Sequence, residues 1–168
     1  HQGDKLRYLE GNFTNEPNIA LFDNNEAIAV YRGLQVVKEG PRQNHDVRTD
    51  LSDFTAWQVI EGVQLEYTGH YTLKNLDLVG PDSDHRSFFN SNGIAYGTNA
   101  LDIVVNGANV EGFQRGVHIR HESLFDGVKD FGYIFIDTDL SGNREQIVDL
   151  QLDGPGLAPI QFLTRDDL

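Results

Sequence analysis

One eight-residue block recurs along the chain and constrains its fold more than any other feature. It reads LSDFTAWQ from Leu51, LKNLDLVG from Leu73, VNGANVEG from Val105, FIDTDLSG from Phe135 and IVDLQLDG from Ile147. The third position is Asp53, Asn75, Gly107, Asp137 and Asp149, residue types that tolerate turn and left-handed backbone best. The fifth position (Thr55, Asp77, Asn109, Asp139, Gln151) is always polar, and the sixth (Ala56, Leu78, Val110, Leu140, Leu152) always apolar. The eighth is Gln58, then Gly80, Gly112, Gly142 and Gly154. A turn residue, an alternating stretch and a closing glycine describe one edge of a coil.

A second element interleaves with the first: GVQLEY from Gly62, GIAYGT from Gly93 and GVHIRH from Gly116. Gly62 and Gly116 each follow the start of a block by the same offset, so the two elements belong to one repeating unit. Such units bury their apolar residues only by stacking on neighbours, which places equivalent positions in ladders. The expected fold is therefore all-β: a right-handed parallel β-helix of about four to six short coils. A β-sandwich is the alternative, because its short strands also alternate. It does not require aligned turn residues and glycines, and that favours the solenoid. No helical periodicity runs through 50–154.

The domain expectation is one structural unit. Residues 1–46 form weakly repetitive N-terminal strands or a cap. Residues 47–168 form the coils, with an inserted polar loop at 81–92 and a C-terminal cap around GLAPIQFL (156–163). IAVYRGLQVV (28–37) reads as strand and GNFTNEPNIALFDNNEA (11–27) as Asn-rich loop. Phe135 and Ile147 are too close to head successive coils, so one of the two belongs on another face.

Blocks such as YTLKNLDLVG followed by GIAYG, and DIVVNGANVEGFQRGVHI, resemble coils of the pectate-lyase-like right-handed parallel β-helix superfamily, and more narrowly the β-helix parts of large secreted bacterial proteins. The resemblance covers about residues 47–154 and is a pattern of coils, without a catalytic signature. It implies carbohydrate work by a lyase, epimerase or glycoside hydrolase, or an adhesive role, in an extracellular or cell-surface protein. Some such proteins carry calcium-binding glycine-rich repeats. Fold alone supplies a prior on function and no more.

Aligning the glycine-led strands puts Gln64, Ala95 and His118 in one outward column, and Glu66, Gly97 and Arg120 in the next. Coils about 4.8 Å apart would set Glu66 and Arg120 about 10 Å from one another across a trough floored by Ala95 and Gly97. A sugar ring there could pair its carboxylate with Arg120 while His118 serves as acid or base. His118, Arg120 and Glu66 are thus the candidate catalytic groups, and Gln64, Glu66, Gly97, His118 and Arg120 the candidate substrate contacts. The loop 81–92 adds His85 and Arg86 as further contacts if it walls the trough, with Phe88 and Phe89 for aromatic stacking; the other reading is an exposed polar loop pinned by two buried phenylalanines. If it instead folds back onto Ala95 and Gly97, a structural role gains. Asp82 and Asp84 are candidate calcium ligands, although calcium takes six to eight oxygens and two carboxylates supply few. His45, His70 and His121 have no metal-ligand spacing and read as surface or turn residues.

Charge and composition narrow the partners. Formal net charge is −13, with 26 acidic against 13 basic residues, which argues against binding a nucleic-acid backbone. No apolar run approaches the length of a membrane span. The chain has no cysteine, so disulfides and thiolate-bound metals are excluded. A sequence opening on His1 reads as a mature or excised piece, with flanking domains or a capping partner as expected neighbours. Nucleophile-elbow, P-loop, dinucleotide and HExxH motifs are absent. Two function classes follow. One is a segment binding or processing an extracellular polysaccharide. The other is a non-catalytic structural or adhesive solenoid, with calcium as its candidate stabiliser.

Overall fold

The computed structural model describes residues 19, 21–37, 48–81, 83–84, 86–98, 100–120, 132–150 and 160–167. Within them are strands β1 (Asp23–Ile28), β2 (Arg32–Val37), β3 (Thr49–Trp57), β4 (Glu61–Glu66), β5 (Thr68–Val79), β6 (Asn92–Tyr96), β7 (Ala100–Glu111), β8 (Arg115–Arg120), β9 (Tyr133–Asp139), β10 (Glu145–Leu150) and β11 (Ile160–Leu163). Odd-numbered strands build one six-stranded sheet in sequence order, and even-numbered strands build a five-stranded second sheet. All pairings are parallel. Consecutive strands therefore alternate between sheets while the chain climbs one rung per pair, a parallel β-solenoid of about four turns. A sandwich of antiparallel sheets cannot have this order.

The register is the one the repeat demands. Leu51 pairs with Leu73, Leu73 with Val105 and Val105 with Phe135, and all four are fully buried. The second sheet aligns Val63, Ile94 and Val117, then Leu65, Tyr96 and Ile119, also within the core. Tyr96 stacks on Tyr133 with centroids 4.8 Å apart, and the Tyr133 hydroxyl donates to the Ala100 carbonyl at 2.8 Å. The last block is the one on another face: Ile147 pairs with Val117 and Asp149 with Ile119 in the second sheet.

The third repeat position is a corner. Asp53, Asn75, Gly107 and Asp137 have φ of 51°, 51°, 74° and 43°, so β3, β5, β7 and β9 each bend there through left-handed backbone. That conformation costs most L-residues roughly 1–2 kcal/mol, and Asn, Asp and Gly bear it best. Side chains reinforce the column: Asn75 Nδ2 donates to Asp53 Oδ1 at 3.0 Å, and Arg165 forms an ion pair with Asp137 at 2.7 Å. Two columns onward, Asn109 Nδ2 donates to Asp77 Oδ1 at 3.1 Å.

This corner also explains the one misplaced element. DNNE (23–26), expected as loop, lies in β1, in register with β3. Asn24 has φ 53° and continues the corner column, so its turn chemistry belongs to the bend inside a rung. Stacking thus extends back at least to Asp23, and β11 in the C-terminal tail closes the first sheet against β9.

The glycines that head the second-sheet strands have a steric cause. A β-carbon on Gly93 would lie 2.1 Å from Val110 Cγ1 and 2.7 Å from the Gly116 carbonyl oxygen. Replacing Gly93 by Ala should therefore destabilise the fold by about 2–3 kcal/mol, the upper range for overpacking. A β-carbon on Gly132 would meet nothing within 4 Å, so Gly132→Ala should stay within about 0.5 kcal/mol of wild type. Urea melts of both variants check the pair.

Candidate functional site

The outward face of the second sheet carries three columns. The first runs Arg32, Glu61, Asn92, Arg115, Glu145, and the second Gln35, Gln64, Ala95, His118, Val148. Val37 and Glu66 pair in the third, where Arg120 and Leu150 also pair. Gly97 follows Tyr96 at that level. The sequence-derived alignment of Gln64 with Ala95 and His118 is thus the one the fold adopts.

Most of this face is internally paired. Arg32 bonds Glu61, Gln35 Nε2 donates to Gln64 Oε1 at 2.9 Å, and Arg115 Nη1 donates to Asn92 Oδ1 at 3.3 Å. His118 and Arg120 differ. His118 pairs with Ala95 in β6 and Val148 in β10, and Arg120 pairs with Leu150 in β10 with Gly97 following β6 at its level, so no neighbouring side chain in those positions can hydrogen-bond them. Burial, then the charges of Arg115 and Arg120, push the His118 imidazole below its ordinary pKa, and Glu61 opposes this weakly. Arg120 is exposed.

The trough is partly filled, and not by the described residues of the inserted loop. A β-carbon on Gly97 would sit 3.0 Å from Glu66 Cγ and 3.1 Å from its Cδ, so the Glu66 side chain lies over the glycine and fills that floor. Ala95 is buried between the longer side chains beside it. Among the described residues no ion pair joins Glu66 to Arg120. The loop goes elsewhere. Its residues Ser83 and Phe88 line the same cleft as Trp57, Gly112 and Arg144, at the corner where the first sheet ends, whereas Gly97 follows the far end of β6.

Within the loop, Arg86–Asn90 form a 3-10 turn. Phe88 and Phe89 touch edge to face at 5.8 Å, but Phe89 is exposed, so they are not a pair of buried anchors. Asp84 is exposed. Asp82 and His85 lie outside the described residues, as do the Arg86 side chain, His45 and His121. Among the described residues no group of three or more His, Asp or Glu is arranged to hold a metal ion.

One cluster escaped sequence reasoning. His70 and Asp102 occupy left-handed corner positions, with φ 58° and 49°, on adjacent rungs of β5 and β7. His70 Nδ1 donates to Asp102 Oδ2 at 2.7 Å. Arg48, one rung earlier, reaches along the corner to the same oxygen at 2.6 Å and to the Tyr71 carbonyl at 3.0 Å. Burial would raise the Asp102 pKa, but the bonds from Arg48 and His70 outweigh it and hold the carboxyl below its usual range. The three residues are far apart in sequence, and the single signal available was the turn-forming character of Asp102. Chemically, a carboxylate-oriented imidazole resembles an acid–base pair; mechanically, it ties three rungs together.

No family model, no curated protein and no solved structure matches this chain. The coil architecture compatible with a β-helix is accordingly what the fold supports, without a narrower family.

Because the folded-state pKa of Asp102 is depressed, its stabilisation is complete above the unfolded carboxylate range near ~4 and disappears as pH falls through the folded value. Asp102→Asn should lose about 1 kcal/mol or less at pH 7, given partial exposure. Its stability should also fall less steeply on acidification, as thermal melts across pH would show.

Proposed function

We propose that this chain binds an acidic extracellular polysaccharide along β8, and that it belongs to the wider pectate-lyase-like superfamily its coils resemble. The observation that carries the reading is the row His118–Arg120 with Arg115 at its head. It is cationic through its two arginines and lies on a regular strand; Arg115 bonds Asn92 and stands in register with Glu145, while His118 and Arg120 are flanked by Ala95, Gly97 and Val148 rather than by polar partners such as the Gln35–Gln64 pair. In a chain of net charge −13, a polyanion is repelled everywhere except over such a local patch. Arg120 supplies the charge-assisted hydrogen bond to a uronate carboxylate. Gln64 and His118 supply neutral contacts, and Glu66 supports the floor by covering Gly97.

Binding is favoured over cleavage. Glu66 is occupied over Gly97, and the acid–base candidates His118 and Glu66 stand two rungs apart with β6 between them. Calcium is the candidate cation for Asp82 and Asp84. A structural or adhesive solenoid is the second reading, favoured by the cross-rung bonds Gln35–Gln64, Asn75–Asp53 and Asn109–Asp77.

Titration of acidic and neutral polysaccharides, with and without calcium, tests the two. Arg120→Ala should weaken acidic-polysaccharide binding about tenfold, some 1.4 kcal/mol. Absence of glycan binding, with melting that depends on calcium, would leave the structural reading. The depressed His118 pKa adds a pH signature. The imidazole is neutral at pH 7, so affinity should rise only once pH falls below the ordinary histidine range. That rise should vanish in His118→Gln.

A further inference from the structure

Where the first sheet turns into the second, a cleft of about 470 Å³ opens between the inserted segment and the coil corner. Its floor is bare backbone. Gly80, Gly112 and Gly142 follow one another up the corner; Gly112 has a left-handed φ of 75°, and side chains at Gly80 and Gly142 would strike a neighbouring rung. A β-carbon on Gly80 would lie 2.2 Å from the Gly112 carbonyl oxygen, and one on Gly142 would lie 2.6 Å from Glu111 Cβ. Trp57 forms one wall with its side chain 50 % exposed, and Phe88 from the 3-10 turn forms part of another. Arg144 lines the rim and is exposed; among the described residues it joins no ion pair. None of these groups serves the β8 row.

We propose that this cleft takes one pyranose ring bearing a carboxylate, a hexuronate unit, with its apolar face on the Trp57 indole and its carboxylate on the Arg144 guanidinium. The half-open wall selects the ring type. A pyranose has one C–H face to bury against an indole and hydroxyls to leave in water, whereas an aromatic acid gains most when both of its faces are enclosed. Arg144 selects the charge, since a guanidinium recognises a carboxylate through paired N–H donors. Gln58 and Ser83, also in the lining, offer neutral partners for ring hydroxyls. Only the ligand class rests on the polysaccharide reading. The site itself is separate: Arg144 immediately precedes β10 at the corner, while Arg120 ends β8, about 17 Å along the strand from its first residue.

The chain holds a single tryptophan, so its emission reports this cleft directly. The full chain would be titrated with short hexuronate oligomers, neutral hexose oligomers of equal length and phenylacetate, following Trp57 emission and heat of binding. Expected is a saturable emission change with the hexuronates, at least tenfold weaker binding of the neutral oligomers, and about tenfold loss in Arg144→Ala, whose exposed side chain is dispensable for folding. Equal affinity for neutral oligomers, tighter binding of phenylacetate, or no emission response to any ligand would overturn the proposal. Arg120→Ala separates the two sites. An emission response that survives, with polymer binding that never depended on Arg120, refutes the β8 row and leaves the cleft standing. Polymer binding that depends on Arg120 with a silent Trp57 refutes the cleft alone.

Discussion

Parallel stacking at a rung spacing of about 4.8 Å is the constraint on which the rest of this molecule depends. Each residue lies directly over the equivalent residue of the next coil, so every column must be compatible with itself. Inward columns become ladders of aliphatic and aromatic side chains, such as Leu51–Leu73–Val105–Phe135. Corner columns need backbone that turns without a clash, which selects Asn, Asp and Gly at the bend. Where a second-sheet strand begins close to the first sheet, the rung leaves no room for a β-carbon, and Gly62, Gly93 and Gly116 follow.

The same constraint shows where function can be sought. A polar residue stacked on a polar residue can satisfy itself within its column, as Gln64 does with Gln35 and Asn109 with Asp77. A residue whose column neighbours are Ala, Gly or Val cannot. His118, between Ala95 and Val148, is placed in that way, and Arg120 stands opposite Leu150; Arg144 and the half-exposed Trp57 line one cleft at the corner. The Arg48–Asp102–His70 cluster illustrates the opposite outcome. Its charges neutralise one another along a corner, which ties coils together and leaves Asp102 ionised at neutral pH.

Much of the fold could be read directly from the repeat. Columns three and eight mark two of the corners, the glycine-led strands mark the second sheet, and their alignment alone places Gln64, Ala95 and His118 in one outward column. The failures share one cause. DNNE reads as loop because Asn24 is a corner residue within a strand, and local sequence does not distinguish a bend inside a rung from a turn between rungs. The His70–Asp102 contact was invisible because its partners belong to different coils with an insertion between them, and insertion length hides register.

The sequence by itself determined the periodicity, and hence which residues share a column, because stacking requires each position to tolerate its own kind. Only the tertiary structure decided where side chains longer than one rung lie. Glu66 covers Gly97, Arg48 reaches across two rungs to Asp102, and the inserted loop packs toward Trp57 and Arg144 rather than over Ala95. Those choices depend on the space left between coils and on the electrostatics of all the neighbours at once. A pattern of residue types along one chain carries neither.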